Sequence, residues 1–209
     1  FDIFLNKNYL KKFKNLKFIA TITTGTNHID IDYLNNHNIT LISLAKYRKF
    51  LNFIRATPEM TFMLIMIALR NLNFNNNYTF ANLNNKTLIG SELYGKTLGI
   101  IGYGRLGKIL SRYTYSFGAK NIHYDLSKAN SKFSTYSNLS NLLKKSDIVS
   151  INLNLNDKNK NFFNLDYLKK MKKNAILINT SRGEILNEND LIYALENNII
   201  SKAALDVLC

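Results

Sequence analysis

The sequence predicts an α/β protein built on a doubly wound parallel sheet, and three observations support this prediction. Short apolar runs that suit buried strands alternate with helical patterns along most of the 209 residues. A glycine-rich turn joins one such strand to a helix at residues 102–107. Polar residues directly follow several strands, where ligands bind in such sheets. Strands separated by helices pair in parallel through right-handed crossovers, which gives the doubly wound arrangement.

The glycine-rich turn reads GYGRLG and lies between a predicted strand at 98–101 and a predicted helix that starts at 105. Gly102 permits a tight turn, Gly104 lets the backbone approach a pyrophosphate, and Gly107 allows the helix to pack closely on the strand. The free N–H groups and the positive dipole end of the helix attract phosphates. The turn therefore predicts a dinucleotide-binding unit of the Rossmann type.

An acidic residue, Asp125, ends the next predicted strand, 23 positions after Gly102. A carboxylate about 20 residues after the first glycine accepts hydrogen bonds from the adenosine ribose. Because a carboxylate repels a 2′-phosphate, Asp125 favours NAD over NADP as the cofactor.

The chain before this unit also alternates strand and helix. Strands are predicted at 16–22 and 39–44, with a helix at 31–36 between them. A long helix is predicted from Thr57 to Leu72, with Thr57 as its cap and Pro58 at its first position. Because this helix is apolar on nearly all sides, we expect it to be buried between two layers. The Asn-rich residues 71–85 are interpreted as a linker or arm.

The chain after Asp125 continues the alternation. Helices are predicted at 139–145, 165–171 and 188–197, and strands at 148–153, 175–179 and 203–207. Three strand ends carry polar residues: 152–156, 180–183 and Asp206. Arg182 is the most informative, since a guanidinium beside a nicotinamide can bind a carboxylate through two parallel hydrogen bonds.

Composition limits the other possibilities. The net charge of +14 raises the question of nucleic acid, but the lysines are scattered among 32 asparagines, which indicates a composition bias and no nucleic-acid partner. Cys209 is the single cysteine, so a cysteine metal cluster and an internal disulfide are excluded and a cytoplasmic protein is expected. The apolar run 60–69 is shorter than the roughly 18 residues that a membrane span needs, so no membrane association is expected. The chain begins with Phe1 and ends after an apolar run, from which a fragment is expected.

Four segments together resemble the D-2-hydroxyacid dehydrogenase family, and in particular its phosphoglycerate dehydrogenase-like members. They are TTGTNHID, TPEMT, GKTLGIIGYGRLGK and ILINTSRGEILNENDLIYALENNIISKAALDV. The resemblance implies a two-domain NAD enzyme that transfers a hydride between a D-2-hydroxy acid and NAD. Residues 1–56 would be part of a flavodoxin-like substrate domain. Residues 57–209 would be the NAD-binding Rossmann domain, including a linker helix at 57–72 and lacking its C-terminal part.

The resemblance also implies roles for single residues. Arg182 matches the catalytic arginine that binds the substrate carboxylate and carbonyl, and Thr24 and Gly25 match a substrate-binding loop. Asp206 matches the acid that accepts from the carboxamide of the cofactor. The full set of implied cofactor contacts is Thr61, Gly102, Gly104, Arg105, Leu106, Gly107, Asp125, Asn154, Thr180, Ser181 and Asp206.

The sequence departs from the family pattern in two places. The family's acid/base histidine and its glutamate partner follow the AALDV strand, so residues 1–209 alone are expected to be inactive. The three histidines, His28, His37 and His123, are interpreted as structural or surface residues. The family's His-x-Pro pattern is replaced at 152–154, which affects the adenine-side contact.

The resemblance further implies a small 2-hydroxy or 2-oxo acid as substrate and a homodimer built through the NAD-binding domain. An alternative is an NAD-sensing scaffold or corepressor-type homologue without turnover, since the glycine-rich turn serves both. A glutamate and a histidine beyond Cys209 would favour the enzyme. Nucleic-acid binding driven by charge is a third alternative, which salt dependence would reveal.

Overall fold

The computed structural model describes residues 4–72, 89–128 and 130–209. The chain divides into two compact units, Phe1–Ile54 and Arg55–Cys209. We predict that the first unit is part of a substrate domain. We predict that the second unit is an NAD-binding domain with its linker helix.

The first unit is a small α/β unit. Its elements are α1 (Lys7–Leu10), β1 (Phe18–Thr21), α2 (Ile31–Asn36), β2 (Thr40–Ser43), a 3-10 turn (Leu44–Lys46) and α3 (Arg48–Leu51). The strands β1 and β2 pair in parallel. Apolar side chains around Leu10, Ile29 and Leu34 form its core. Helix α1 was not predicted because four residues carry too little periodicity to identify a helix.

The second unit has α4 (Ala56–Leu69), β3 (Thr97–Ile101), α5 (Arg105–Ser116), β4 (Lys120–Tyr124), β5 (Thr135–Tyr136) and α6 (Leu139–Lys145). It continues with β6 (Ile148–Ile151), α7 (Leu165–Leu168), β7 (Ile176–Asn179), a 3-10 turn (Gly183–Ile185), α8 (Glu188–Glu196) and β8 (Lys202–Leu205). In the described part of the unit, six parallel strands pair in the order β5-β4-β3-β6-β7-β8. This order is that of the Rossmann fold, so the predicted fold class is confirmed.

Both faces of the sheet are covered, as a parallel sheet requires. Every residue of β6 and β7 is buried. One apolar cluster joins one face of the sheet to α6, α7 and α8 through side chains such as Leu142, Leu168 and Leu191. A second cluster joins the other face to α4 and α5 through Ile65 and Leu110. The strand order reverses its direction between β3 and β6, which places a ligand crevice at their carboxyl ends.

Helix α4 differs from its prediction at both ends. It begins at Ala56 after Arg55, which makes no side-chain cap, so the predicted cap at Thr57 and first position at Pro58 are wrong. It ends at Leu69, because the chain turns at Asn71, whose φ is 55°. Ile65 is fully buried while Met63 is 42% exposed, so the second unit covers one face of the helix and the expected burial on all sides is not seen.

By length and composition alone, one described stretch, Lys49–Leu69, could cross a membrane. It is not one continuous helix, because α3 ends at Leu51 and α4 begins at Ala56. Ile65, Ala68 and Leu69 also lie in the core of the second unit. This stretch therefore fits a core helix of a folded unit. The predicted linker at 71–85 lies largely outside the described residues.

The last turn of α4 is held by a residue from the final strand. Lys202 Nζ donates to Ala68 O at 3.0 Å and also to Asn71 Oδ1. The helix has no basic residue in its own last turn, so Lys202 supplies the positive charge that its negative dipole end favours. Partial burial lowers the pKa of Lys202.

Candidate cofactor and substrate site

Five strand ends of the second unit form one polar edge. In sheet order the residues at these ends are Asp125 after β4, Gly102 after β3, Asn152 after β6, Thr180 after β7 and Asp206 after β8. Strands lie about 4.8 Å apart, so four spacings give an edge about 19 Å long. An extended dinucleotide fits this length. The structure thus brings together residues that are more than 100 positions apart in the sequence.

The glycine-rich turn has the shape that its spacing predicts. Gly102 has a φ of 95°, and a Cβ there would lie 2.6 Å from Asn152 O. A Cβ at Gly107 would lie 2.4 Å from Gly102 O, so the helix could not approach the strand. In contrast, a Cβ at Gly104 would meet nothing within 4 Å. The space beside Gly104 is therefore open, as the predicted approach of a pyrophosphate requires.

Helix α5 begins immediately after this turn. Arg105 and Leu106 are its first two residues, so their N–H groups belong to the amino-terminal turn of a 12-residue helix. Gly104, the residue before them, makes no side-chain cap hydrogen bond. Burial lowers the pKa of Arg105, but an arginine stays charged at neutral pH. The turn thus combines the amino-terminal end of a helix with the positive charge of Arg105.

The Asp125 carboxylate is fixed by two backbone groups. Its Oδ2 accepts from Tyr103 N at 2.6 Å, and its Oδ1 accepts from Ser127 N at 3.2 Å. The first of these bonds ties the acid directly to the glycine-rich turn. Each carboxylate oxygen has a second lone pair, so the group can still accept from ribose hydroxyls.

The end of β6 is held by a residue that the sequence did not reveal. Ser150 is fully buried, and its Oγ accepts from Asn152 Nδ2 at 2.9 Å. Asn154 is exposed, and its carbonyl accepts from Asn159 Nδ2 at 2.7 Å. The side chain of Asn154 can still reach a ligand, so its predicted contact on the adenine side stays a prediction.

Asn179, the last residue of β7, shapes the turn that carries Arg182. Its Oδ1 accepts from Ser181 N at 3.1 Å and from Ser181 Oγ at 2.8 Å, and its Nδ2 donates to Arg182 O at 3.0 Å. The side chain is fully buried. No sequence pattern marks this role of Asn179, although it is the first residue of the NTSRG signature.

Thr61 and Thr180 lie against each other. Thr61 Oγ1 donates to Thr57 O at 2.7 Å, and the two threonine oxygens are 2.7 Å apart. A hydroxyl has one proton, so Thr180 must donate to Thr61 and offers only its lone pairs to a ligand. Thr61 is fully buried, and Thr180 is 5% exposed. Thr61 therefore lies behind Thr180, and its predicted cofactor contact stays a prediction.

Arg182 and Asp206 follow the last two strands at the end of the edge. Arg182 is partly buried, and its Nη1 donates to Ser181 O at 2.6 Å. This bond uses one of the five guanidinium N–H groups, so a fork remains for a carboxylate. Asp206 is exposed, and its N–H donates to Asn179 O at 3.0 Å, which ties it to the same turn.

The predicted substrate loop lies in the first unit, directly after β1. Thr23 Oγ1 donates to Gly25 O at 2.7 Å, and Ser43 Oγ donates to Thr23 O at 3.0 Å. Thr24 is exposed between these anchored residues. Thr23 and Ser43 hold the loop that carries Thr24 and Gly25. No sequence pattern marks either of these two residues.

The three histidines occupy positions that fit structural or surface roles. His123 is fully buried inside β4, with Nδ1 2.9 Å from Ser134 Oγ. His37 stacks on Tyr33 at the end of α2. His28 lies in the loop after β1, where its carbonyl accepts from Leu5 N. Within the described ranges, no group of three His, Cys, Asp or Glu side chains could hold a metal ion.

This topology and this turn define the second unit as a dinucleotide-binding Rossmann domain. Residues 62–209 match the family described as D-isomer specific 2-hydroxyacid dehydrogenase, NAD binding domain. The chain therefore belongs to the D-isomer specific 2-hydroxyacid dehydrogenase family and carries its NAD-binding domain. The family that the sequence motifs indicated is confirmed.

Individual relatives agree with this assignment. The chain is 31% identical over 208 residues to the D-3-phosphoglycerate dehydrogenase of Bacillus subtilis, covering 97% of this chain and 39% of the relative. It superimposes with a TM-score of 0.82 on a D-lactate dehydrogenase from Aquifex aeolicus complexed with NAD and lactic acid, at 28% identity, covering 98% of this chain and 62% of the other.

A third relative binds a different cofactor. An acyclic imino acid reductase in complex with NADPH and D-Arg superimposes with a TM-score of 0.80, at 29% identity, over 98% of this chain and 66% of the reductase. The chain thus spans between 39% and 66% of these three relatives.

Proposed function

We propose that the protein containing this chain is an NAD-dependent oxidoreductase that transfers a hydride between a D-2-hydroxy acid and NAD. The observation that carries the proposal is the turn after β7, where Asn179 and Ser181 hold Arg182 beside Thr180. A partly buried guanidinium at a strand end binds a carboxylate far more strongly than one in water. Substrates with a carboxylate next to the reacting carbon fit this group.

The chain's own residues provide binding and orientation. Thr180 and Ser181 line the nicotinamide side, and Asp206 accepts from the carboxamide, which together fix one face of the ring. Arg182 binds the substrate carboxylate and carbonyl oxygen, so that the carbinol carbon lies against that ring. The nicotinamide, when bound, exchanges a hydride with this carbon. For Thr24 and Gly25 of the first unit, the family resemblance implies a loop that binds substrate through its backbone.

The cofactor preference follows from Asp125 and the glycine-rich turn. The carboxylate accepts from the ribose hydroxyls and repels a 2′-phosphate, so NAD binds in preference to NADP. Gly102, Gly104, Arg105, Leu106 and Gly107 form the phosphate cradle.

Arg182→Ala tests the role of the guanidinium in the intact protein. We expect kcat/KM for the preferred 2-hydroxy acid to fall by on the order of 100-fold or more, because a charge-assisted bidentate contact is lost. Arg182→Lys is the matched control: it keeps the charge but loses the fork, and should recover only a small part of the rate. The measurement is NAD-linked turnover across a panel of small 2-hydroxy acids. Unchanged turnover in Arg182→Ala would rule out this role.

The same screen separates the enzyme from the alternative, an NAD-sensing scaffold. Tight NAD binding by the intact protein with no turnover on any 2-hydroxy acid would favour the scaffold. We also propose a homodimer formed through the NAD-binding domain, for which the exposed face of α4 around Met63 is available. A monomer in sedimentation of the intact protein would contradict it.

A further inference from the structure

A buried cluster of polar side chains lies next to Asp125, and the proposed reaction does not use it. We call Tyr103, Ser111, His123, Ser131 and Ser134 the Tyr103 cluster. Its members come from the glycine-rich turn, helix α5, strand β4 and the segment between β4 and β5. Four of them are at least 93% buried, Ser131 being the exception. Buried polar groups cost stability unless they are bonded to one another, so such a cluster calls for an explanation.

Tyr103 connects the turn to both ends of the segment that begins at Asp125. Its N–H donates to Asp125 Oδ2 at 2.6 Å, and its hydroxyl lies 2.5 Å from Ser131 Oγ. Tyr103 thus fixes both the Asp125 carboxylate and Ser131, which lies six positions further along the chain.

The hydroxyl groups have a defined direction of donation. Ser111 Oγ donates its single proton to Lys108 O at 2.9 Å. Tyr103 must therefore donate to Ser111, 3.0 Å away, and accept from Ser131. A contact of 3.5 Å from Ser131 Oγ to Ser134 O is too long to compete with the bond to Tyr103. A directed chain of hydrogen bonds runs from Ser131 into helix α5.

His123 fixes the orientation of the tyrosine ring. The two rings stack with centroids 3.7 Å apart and planes inclined by 14°. His123 Nδ1 is 2.9 Å from Ser134 Oγ, so the imidazole is itself attached to the same segment. Because both rings are buried, the tyrosine cannot turn its hydroxyl away from Ser131 without unstacking.

We propose that Tyr103 is the positioning residue that makes this domain select NAD over NADP. This inference rests on the cofactor-binding part of the proposed function. Asp125 rejects a 2′-phosphate only while its carboxylate stays at the ribose end of the crevice. The segment behind it carries the exposed Lys128 and Lys132, which would attract a phosphate if the carboxylate moved aside. The fold alone does not determine whether NAD or NADP binds, since a relative with the same fold binds NADPH.

Tyr103→Phe is the direct test, because it keeps the stacked ring and deletes only the hydroxyl. Dissociation constants for NADH and NADPH are measured on the intact protein by the change in nicotinamide fluorescence. We expect the preference for NADH over NADPH to fall by about tenfold, the effect of losing the hydrogen bond from Ser131 to the Tyr103 hydroxyl, which anchors the segment that follows Asp125. Ser131→Ala breaks the same bond and should lower the preference similarly. The double variant should show no additional loss.

Ser146→Ala is the matched control. This buried hydroxyl donates to Leu142 O at 2.6 Å on the opposite edge of the sheet. It should lower the melting temperature and leave the NADH to NADPH preference unchanged. If Tyr103→Phe does not fold, Ser131→Ala alone carries the test.

The outcomes distinguish the two proposals. A wild-type protein that binds neither dinucleotide would overturn the proposed function and this inference with it. A wild-type protein that prefers NADH, with the same preference in Tyr103→Phe and Ser131→Ala, would overturn only the role of Tyr103 and leave a structural cluster.

Discussion

Thr61 reaches the cofactor edge through Thr180. Its hydroxyl proton is used by Thr57 O, and its side chain is fully buried. The resemblance carried by the motif TPEMT implies a direct cofactor contact for Thr61. A motif does not show whether a side chain is buried. From the contact with Thr180 we propose a positioning role, in which Thr61 fixes which lone pairs Thr180 presents.

Thr61→Val tests this role, since it preserves the shape and removes the acceptor. We expect the dissociation constant for NADH to rise by up to about tenfold, because the Thr180 hydroxyl loses its partner and turns. Thr180→Val should weaken binding by a similar factor, and the double variant by no more than Thr180→Val alone. The measurement is NADH binding by fluorescence. Strictly additive effects of the two changes would show that Thr61 acts independently of Thr180.

Asn179 shows a limit of sequence reasoning at the same scale. Arg182 is recognised from NTSRG, since a guanidinium after a strand is an evident ligand for a carboxylate. Asn179 is in the same signature, but its function is to bond three groups of the following turn. Only the buried geometry reveals such a role, because an asparagine at a strand end fits a solvated turn equally well.

Among the elements, the glycine-rich turn makes the sharpest prediction. Gly104→Ala adds a Cβ to open space, so folding should be normal while the pyrophosphate loses its room. Gly107→Ala places its Cβ 2.4 Å from Gly102 O, so the unit should lose roughly 1–3 kcal/mol of stability and NAD binding as well. Melting temperature and the NADH dissociation constant are measured for both.

A Gly104→Ala protein with unchanged NADH affinity would contradict the placement of the pyrophosphate. A Gly107→Ala protein as stable as the wild type would contradict the close contact between α5 and β3.

Elements with strong periodicity were predicted well, and weakly specified ones were not. Helices α2 and α6 have the predicted bounds, because Asp30 and Asn138 cap them with local hydrogen bonds. Strand β5 has two residues and was not predicted, since its pairing with β4 is set by the tertiary structure. The predicted start of α4 is two residues late, because a Thr-Pro pair suits a helix start and the actual cap residue, Arg55, makes no side-chain cap hydrogen bond.

At the scale of the whole molecule, the sequence predicts the fold but not the polar clusters that residues from separate elements form together. Alternating strands and helices with one glycine-rich turn are sufficient to predict a Rossmann sheet, because parallel pairing leaves few topologies. The Tyr103 cluster joins residues 103 to 134 from separate elements, and no local pattern marks such residues as neighbours. Long-range contacts of this kind need the three-dimensional structure.

The edge of the sheet opposite the cofactor edge carries an ion pair that links stability to pH. Asp147 Oδ1 lies 2.8 Å from Lys172 Nζ, and Oδ2 accepts from Thr97 N at 2.8 Å. Burial raises the pKa of Asp147, but the bonds from Lys172 and Thr97 outweigh it and hold the pKa below its usual value. Because its pKa is lowered, the ionised acid stabilises the folded state at pH values above the pKa of the acid in the unfolded chain, about 3.9.

Asp147→Asn should therefore destabilise the protein at pH 7 by about 1 kcal/mol or less, since the pair is partly exposed and screened. The difference from wild type should begin to shrink as the pH falls through about 3.9, where the unfolded acid becomes protonated, and should vanish below the lowered pKa of the folded acid. Urea unfolding at pH 7 and pH 3 provides the measurement. An equal difference at both pH values would show that the charge of Asp147 is not the cause.

Lys202 also joins distant parts of the chain, because it closes the last turn of α4 from 134 positions further along. A chain synthesised from its amino terminus releases α4 from the ribosome long before β8. Until that strand joins the sheet, the carboxyl end of the helix lacks its cation.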